Sequence, residues 1–134
     1  MSKVIILKSG LIEKFEVEEV IEEIISLEYL QEKVGGYIEI PYISKKLCEK
    51  GIDAIINEEG KLKGLEPTIA IVVEEEVVDV VVGTVVFCGH DDEGNSIGLN
   101  DLQVKFMEKA FEEDINILNE NKDKCWAVKV LNIE

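Results

Sequence analysis

No arginine occurs anywhere in these 134 residues; the 14 basic residues are all lysines, set against 29 aspartates and glutamates for a net charge of -15. Arginine carries the planar donor fork that grips phosphates and base edges, and a field this negative repels polyanions. Direct nucleic-acid binding and docking to anionic membrane surfaces are therefore not expected. The three cysteines, Cys48, Cys88 and Cys125, are odd in number, lie far apart and form no CxxC pair. Neither a disulfide framework nor a zinc cage follows from such spacing, and reduced thiols in a cytosolic core are expected. Long hydrophobic runs are missing as well. The longest, Val77 to Cys88, is broken by Asp79 and Gly83 and falls short of the roughly 20 residues a membrane helix needs. The apolar run between Lys3 and Lys8 is too brief for a secretory signal, so a cytoplasmic protein is expected.

What is present is aliphatic. Hydrophobic residues make up 46% of the chain and aromatics only 6%, so the interior must be built from Val, Ile and Leu, the residues that suit a sheet. A chain of this length is expected to form one domain, residues 1–134.

The pattern along the chain predicts strands at Val4 to Leu7 and Leu11 to Phe15, joined as a hairpin through Gly10. From Val17, apolar residues recur at three and four positions while Glu18, Glu19, Glu22 and Glu23 take the other face, which predicts an amphipathic helix to about Lys33, ended by Gly35-Gly36. Strands are predicted at Tyr37 to Pro41 and Ile52 to Ile56, with Ser44 to Lys50 as a loop or single turn between them. Asn57 to Gly60 supplies turn chemistry, and Lys61 to Leu65 is expected to return antiparallel. Thr68 to Val73 reads as a short helix or a strand. Val78 to Phe87 reads as one central strand with a bulge or close approach at Gly83, followed by a polar loop, Gly89 to Gly98. Asn100 and Gln103 form a capping box that opens a second helix reaching about Asn119, and Trp126 to Ile133 suits a terminal strand. Together these elements predict an α+β fold: a mostly antiparallel sheet of about six strands with two main helices.

No catalytic signature accompanies them. His90 stands between Cys88 and the carboxylates Asp91, Asp92 and Glu93, but a metal needs convergent ligands from separate elements and no second histidine exists. A Cys88–His90 nucleophilic pair names no orienting group and no oxyanion donor, and an exposed loop histidine is the simpler reading. The glycines match no phosphate-cradling pattern. No metal, no cofactor and no enzymatic activity are expected. Acidic runs are the more informative feature: Glu18, Glu19, Glu22 and Glu23; Asp91, Asp92 and Glu93; Glu74 to Glu76 with Asp79; and Glu112 and Glu113. If they converge, they form one negative surface; separately they are solvated faces.

The strings Leu30 to Glu39, including Val-Gly-Gly-Tyr-Ile-Glu, then Asn57 to Leu65, then Asp79 with Gly83 to Phe87, resemble the domain of unknown function 3846 family, small proteins of phages, plasmids and conjugative elements. The resemblance covers about Val4 to Gln103, leaving residues 104–134 as a C-terminal helix and strand extension. The family brings no established activity. Physically the matched strings read as a helix cap entering a strand and a hairpin turn, while Tyr37, Asn57, Glu59, Lys61 and Lys63 are the residues that would contact a small ligand. Two functions are therefore expected to compete. One is a non-enzymatic acidic protein of a mobile element that occupies the basic groove of a protein partner such as a host defence factor. The other is a protein that sequesters a small metabolite in a pocket near residues 35–39 and 57–65.

Overall fold

The structure, a computed structural model, describes residues 2–8, 15–43, 45–73, 76–113, 115–118 and 125–129. Two strands open it, β1 (Ser2–Leu7) and β2 (Phe15–Val20), followed by α1 (Leu27–Val34) and the short edge strand β3 (Ile38–Glu39). A five-residue helix α2 (Lys45–Glu49) leads into β4 (Ile52–Asn57), β5 (Pro67–Val73), β6 (Glu76–Val82), β7 (Val85–His90) and β8 (Ser96–Ile97). Helix α3 (Asp101–Glu113) precedes β9 (Ile115–Leu118) and β10 (Cys125–Lys129). The strands form a six-stranded sheet in the order β2-β1-β7-β4-β3, with β8 paired to β7, and a four-stranded sheet in the order β6-β5-β10-β9. Among the described residues the strand pairings are antiparallel except that of β10 with β5. The fold is α+β and mostly antiparallel.

β7 explains how the two sheets share a core. A central strand is buried on both faces, and its alternation sends Val85 and Phe87 to one side and Val86 and Cys88 to the other, all at most 1% exposed. On the first side Ile5, Ile52 and Phe87 meet Ile69 and Val81 of the second sheet and Val104 and Met107 of α3. On the second side Val4, Ile55, Val86 and Cys88 meet Leu30 and Val34 of α1. Burying each large aliphatic side chain contributes on the order of 1.5–3 kcal/mol, so this strand anchors both layers.

Several expectations are corrected. Residues Phe15–Val20 are a strand and Val17 to Val20 does not open a helix, because Phe15 to Glu18 alternates apolar and charged residues and the segment pairs with β1, Ile5 opposite Val17 and Val4 opposite Glu18. The helix begins only after Ser26, whose hydroxyl accepts the Tyr29 amide at 3.1 Å. β1 does form an antiparallel hairpin, but its partner is Phe15–Val20 and not the expected Leu11 to Phe15, of which residues 11–14 lie outside the described residues. Lys61 to Leu65 does not return as a strand: Lys63 bonds back to Glu59, Gly64 to Lys61 and Leu65 to Gly60, a run of local turns. Val78 to Phe87 is two strands, broken at Gly83, whose left-handed φ of 78° turns the chain from one sheet into the other. The expected close approach there is present, since a Cβ on Gly83 would lie 2.8 Å from Leu65 Cδ1. The polar stretch after Gly89 contains a return strand, β8, and α3 stops at Glu113 because Ile115–Leu118 pairs with β10. Its predicted capping box is reciprocal: Asn100 Oδ1 accepts the Gln103 amide at 2.8 Å and Gln103 Oε1 accepts the Asn100 amide at 2.9 Å.

Candidate functional site

The Val34–Glu39 and Asn57–Leu65 strings interlock. Gly35, at φ 82°, caps α1 and returns its amide to the Gln31 carbonyl. Asn57, 4% exposed, ends β4 beneath that cap: its Nδ2 donates to the Val34 carbonyl at 3.1 Å and its Oδ1 accepts the Glu59 amide at 2.8 Å. The chain passes so closely that a Cβ on Gly36 would lie 3.0 Å from Asn57 Nδ2. Glu58 then donates its amide to the Tyr37 carbonyl at 2.9 Å. These strings are joints of the fold, and both polar ends of the Asn57 side chain are engaged by the backbone.

Beside them lies an open cleft of about 190 Å³ between the β3–β4 edge of one sheet and β6 of the other, lined by Glu39, Tyr42, Ile56, Asn57, Lys61 and Asp79 among others. Lys61 Nζ reaches Asp79 Oδ1 at 2.8 Å. That ammonium, with the Val80 amide, holds the Asp79 carboxyl below its ordinary range. Of the five candidate ligand residues, Asn57 and Lys61 line the cleft, whereas Tyr37, Glu59 and Lys63 do not. Tyr37 is exposed, and Glu59 and Lys63 face each other at 4.0 Å across one turn. Tyr42 and the β6 wall entered no expectation, because nothing local in the sequence shows that β6 leaves the central sheet.

Acidic residues do converge. The Ile25 amide donates to the Ser96 carbonyl at 2.7 Å, which ties the bend at residues 22–24 to β8 and sets it beside the turn at residues 91–95. Glu23, Asp91 and Glu93 line one open cleft of about 480 Å³ with Ser2, Asn95 and Gly98; Glu19 and Glu22 line a neighbouring groove with Ser26 and Tyr29. Among the described residues no lysine lines either. Among the described residues, Glu19, Glu22, Glu23, Asp92 and Glu93 make no ion pair. Asp91 shapes the turn: its carboxylate accepts Asn95 Nδ2 at 3.1 Å and the amides of Asn95 and Glu93 at 2.8 and 2.9 Å. The Asn95 side chain first, then those amides, keep it ionised below the usual carboxylate range. Glu18 points the other way, to α1, where it accepts the Tyr29 hydroxyl and lies 3.3 Å from Lys33 Nζ. Glu112 and Glu113 close α3, and their side chains lie outside the described residues.

His90 ends β7 and bonds through Nδ1 to Asp53 Oδ2 at 3.0 Å, a partner on β4 that sequence spacing did not reveal. Cys88 shares its sheet face but is fully buried, and burial first, then the Asp53 charge, pushes its thiol up to about 12. A thiol held protonated is no nucleophile at neutral pH. Cys48, by contrast, is exposed rather than in the core. Among the described residues no group of three or more His, Cys, Asp or Glu side chains is placed to hold a metal, and no helix is long and apolar enough to cross a membrane.

No curated protein and no solved structure matches the chain. A family model does, across residues 1–112, so the match runs through nearly all of α3 and leaves β9 and β10 beyond it. The chain belongs to the DUF3846 family, a domain of unknown function.

Proposed function

We propose that this protein is a non-enzymatic binding protein whose acidic face docks on a basic surface of another protein. The observation that carries the reading is the cleft in which Glu23, Asp91 and Glu93, brought from distant parts of the chain, gather without a lysine among its lining residues. Carboxylates without ion pairs in the free protein need break none to bind, and together they steer a basic partner toward the face. In the setting that the resemblance to mobile-element proteins implies, the partner is a host defence factor in the cytoplasm, and the acidic face fills the groove by which that factor holds nucleic acid. Affinity capture from a lysate of the cells that carry the gene, at low and at moderate salt, tests this. A partner held at low salt and released at moderate salt supports it, since screening shortens the reach of exposed charges to about 8–10 Å. A salt-insensitive partner, or none, counts against it.

A second reading is sequestration of a small ligand in the 190 Å³ cleft beside the Asn57–Leu65 string, favoured by the charged side chains of Glu39, Glu58, Lys61 and Asp79 among its lining. Native mass spectrometry of the purified protein decides it. A stoichiometric small molecule retained by wild type and lost from Lys61→Ala places ligand binding ahead of the acidic-face reading.

A further inference from the structure

We propose that the open edge of β3 is a docking site for an extended segment of a partner protein in which apolar residues alternate with lysine or arginine, added to the sheet as a further strand.

Exposed sheet edges invite pairing, and proteins ordinarily guard them with charge, twist or blocked amides. Two edges of this molecule are guarded. Along β2 the exposed edge carries Glu16 and Glu19. On β6 the Val80 amide is taken by the carboxylate of its own neighbour, Asp79, at 2.8 Å, and Lys61 holds that carboxylate in place. β3 is guarded only by its two-residue length and the exposed Glu39, and among the described residues no side chain takes its outward amide. Its Tyr37 carbonyl accepts the Glu58 amide, so Tyr37 and Glu39 turn their backbone groups toward β4. In an antiparallel ladder successive residues alternate, which sends the N–H and C=O of Ile38 to the open side. No backbone bond of either group to another element is present among the described residues.

Beside the exposed Glu39 and Glu58, large apolar side chains also stand around this edge: Tyr37 is 69% exposed, Ile40 53%, Tyr42 50% and Leu62 88%. Outward backbone groups supply affinity in strand addition, and alternate side chains set specificity. The flanking carboxylates Glu39 and Glu58 are exposed and make no ion pair among the described residues, which selects basic residues in the added strand. A second copy of the chain would set a charge of -15 against -15, so the occupant is a different and basic protein. The site stands apart from the acidic face, since β3 and β2 are opposite edges of one sheet.

Selection of a random decapeptide library displayed on phage against the immobilised protein tests this, with recovered sequences resynthesised and titrated by fluorescence polarisation. The expected result is enrichment of apolar residues alternating with Lys or Arg. Affinity should fall at least tenfold in the double variant Tyr37→Lys/Ile40→Lys, with thermal stability and circular dichroism unchanged. Amide exchange of Ile38 should slow on binding of the wild type. The double charge reversal Glu23→Lys/Glu93→Lys should leave this binding within about threefold, which separates the site from the acidic face. Enrichment of acidic or unpatterned peptides, equal binding to the β3 variant, or unchanged exchange at Ile38 would overturn the proposal. So would sedimentation showing a dimer that Tyr37→Lys/Ile40→Lys dissolves, because the occupant would then be a second copy.

Discussion

Asn57 Nδ2 donates to the carbonyl oxygen of Val34, the last residue of α1, at 3.1 Å, and so bonds the end of β4 to the end of a helix that precedes it by more than twenty residues. The same side chain accepts the Glu59 amide and begins the turn that follows. One buried amide thus sets the helix, the turn and the entry to β3 in a fixed arrangement, which is why Gly36 must pass it without a side chain.

Replacing it removes both bonds and leaves a buried carbonyl unsatisfied. Asn57→Ala is expected to destabilise the fold by about 1–3 kcal/mol. Asn57→Asp keeps the acceptor for Glu59 but sets a carboxylate against the Val34 carbonyl, so its loss should be larger at pH 7 than near pH 4, where the protonated acid can donate in place of the amide. Thermal or urea unfolding of the two variants at both pH values checks this; equal losses at both would show that the Val34 bond contributes nothing.

Gly83 and Gly94 both hold left-handed φ angles, 78° and 84°, yet only Gly83 is crowded. Gly94→Ala should cost about 1–2 kcal/mol for the backbone alone. Gly83→Ala should cost about 1–3 kcal/mol more, because its Cβ would press on Leu65 Cδ1. Denaturant midpoints of the two variants, with unchanged slopes, test the difference.

The Tyr29 hydroxyl, above all, holds the Glu18 carboxyl below its ordinary value of 4.5, with Lys33 adding to the effect. A folded pKa below the unfolded one contributes stability that is present above pH 4.5 and is lost as pH falls through the folded value. Tyr29→Phe removes the main cause, so acid unfolding should begin at higher pH than in wild type. Burial, then Glu18, raises the Tyr29 phenol above its ordinary 10.0. Its contribution is present below pH 10.0 and fades as pH rises through the raised value. Absorbance at 295 nm should show this phenol ionising well above that value, and ionisation at the ordinary value would sink the assignment.

The parts of the fold legible in sequence were those fixed by local chemistry: the Gly35 cap, the Asn57–Gly60 turn and the Asn100–Gln103 capping box each need only neighbours. What misled was a segment with two periods. Val17, Val20 and Ile21 fit a helix spacing while Phe15 to Glu18 alternates as a strand does, and only the pairing of Val4 with Glu18 across the hairpin decides between them. Gly83 shows the same limit, for a glycine in a valine run marks a break without saying that the next strand joins another sheet. The acidic runs were visible as runs. Their convergence rests on the Ile25–Ser96 backbone bond, which no pattern in the sequence foretells. Asp53 reaches His90 by strand register for the same reason.

The most direct measurement is the affinity of wild type and of Glu22→Lys/Glu23→Lys/Glu93→Lys for the partner captured from lysate, by calorimetry across a salt series. Binding should weaken by orders of magnitude as salt rises and fall at least tenfold in the variant, whose melting temperature stays within about 2 °C of wild type, surface charges away from packing costing little. Affinity that ignores both salt and the three reversals would contradict the acidic face as the binding surface.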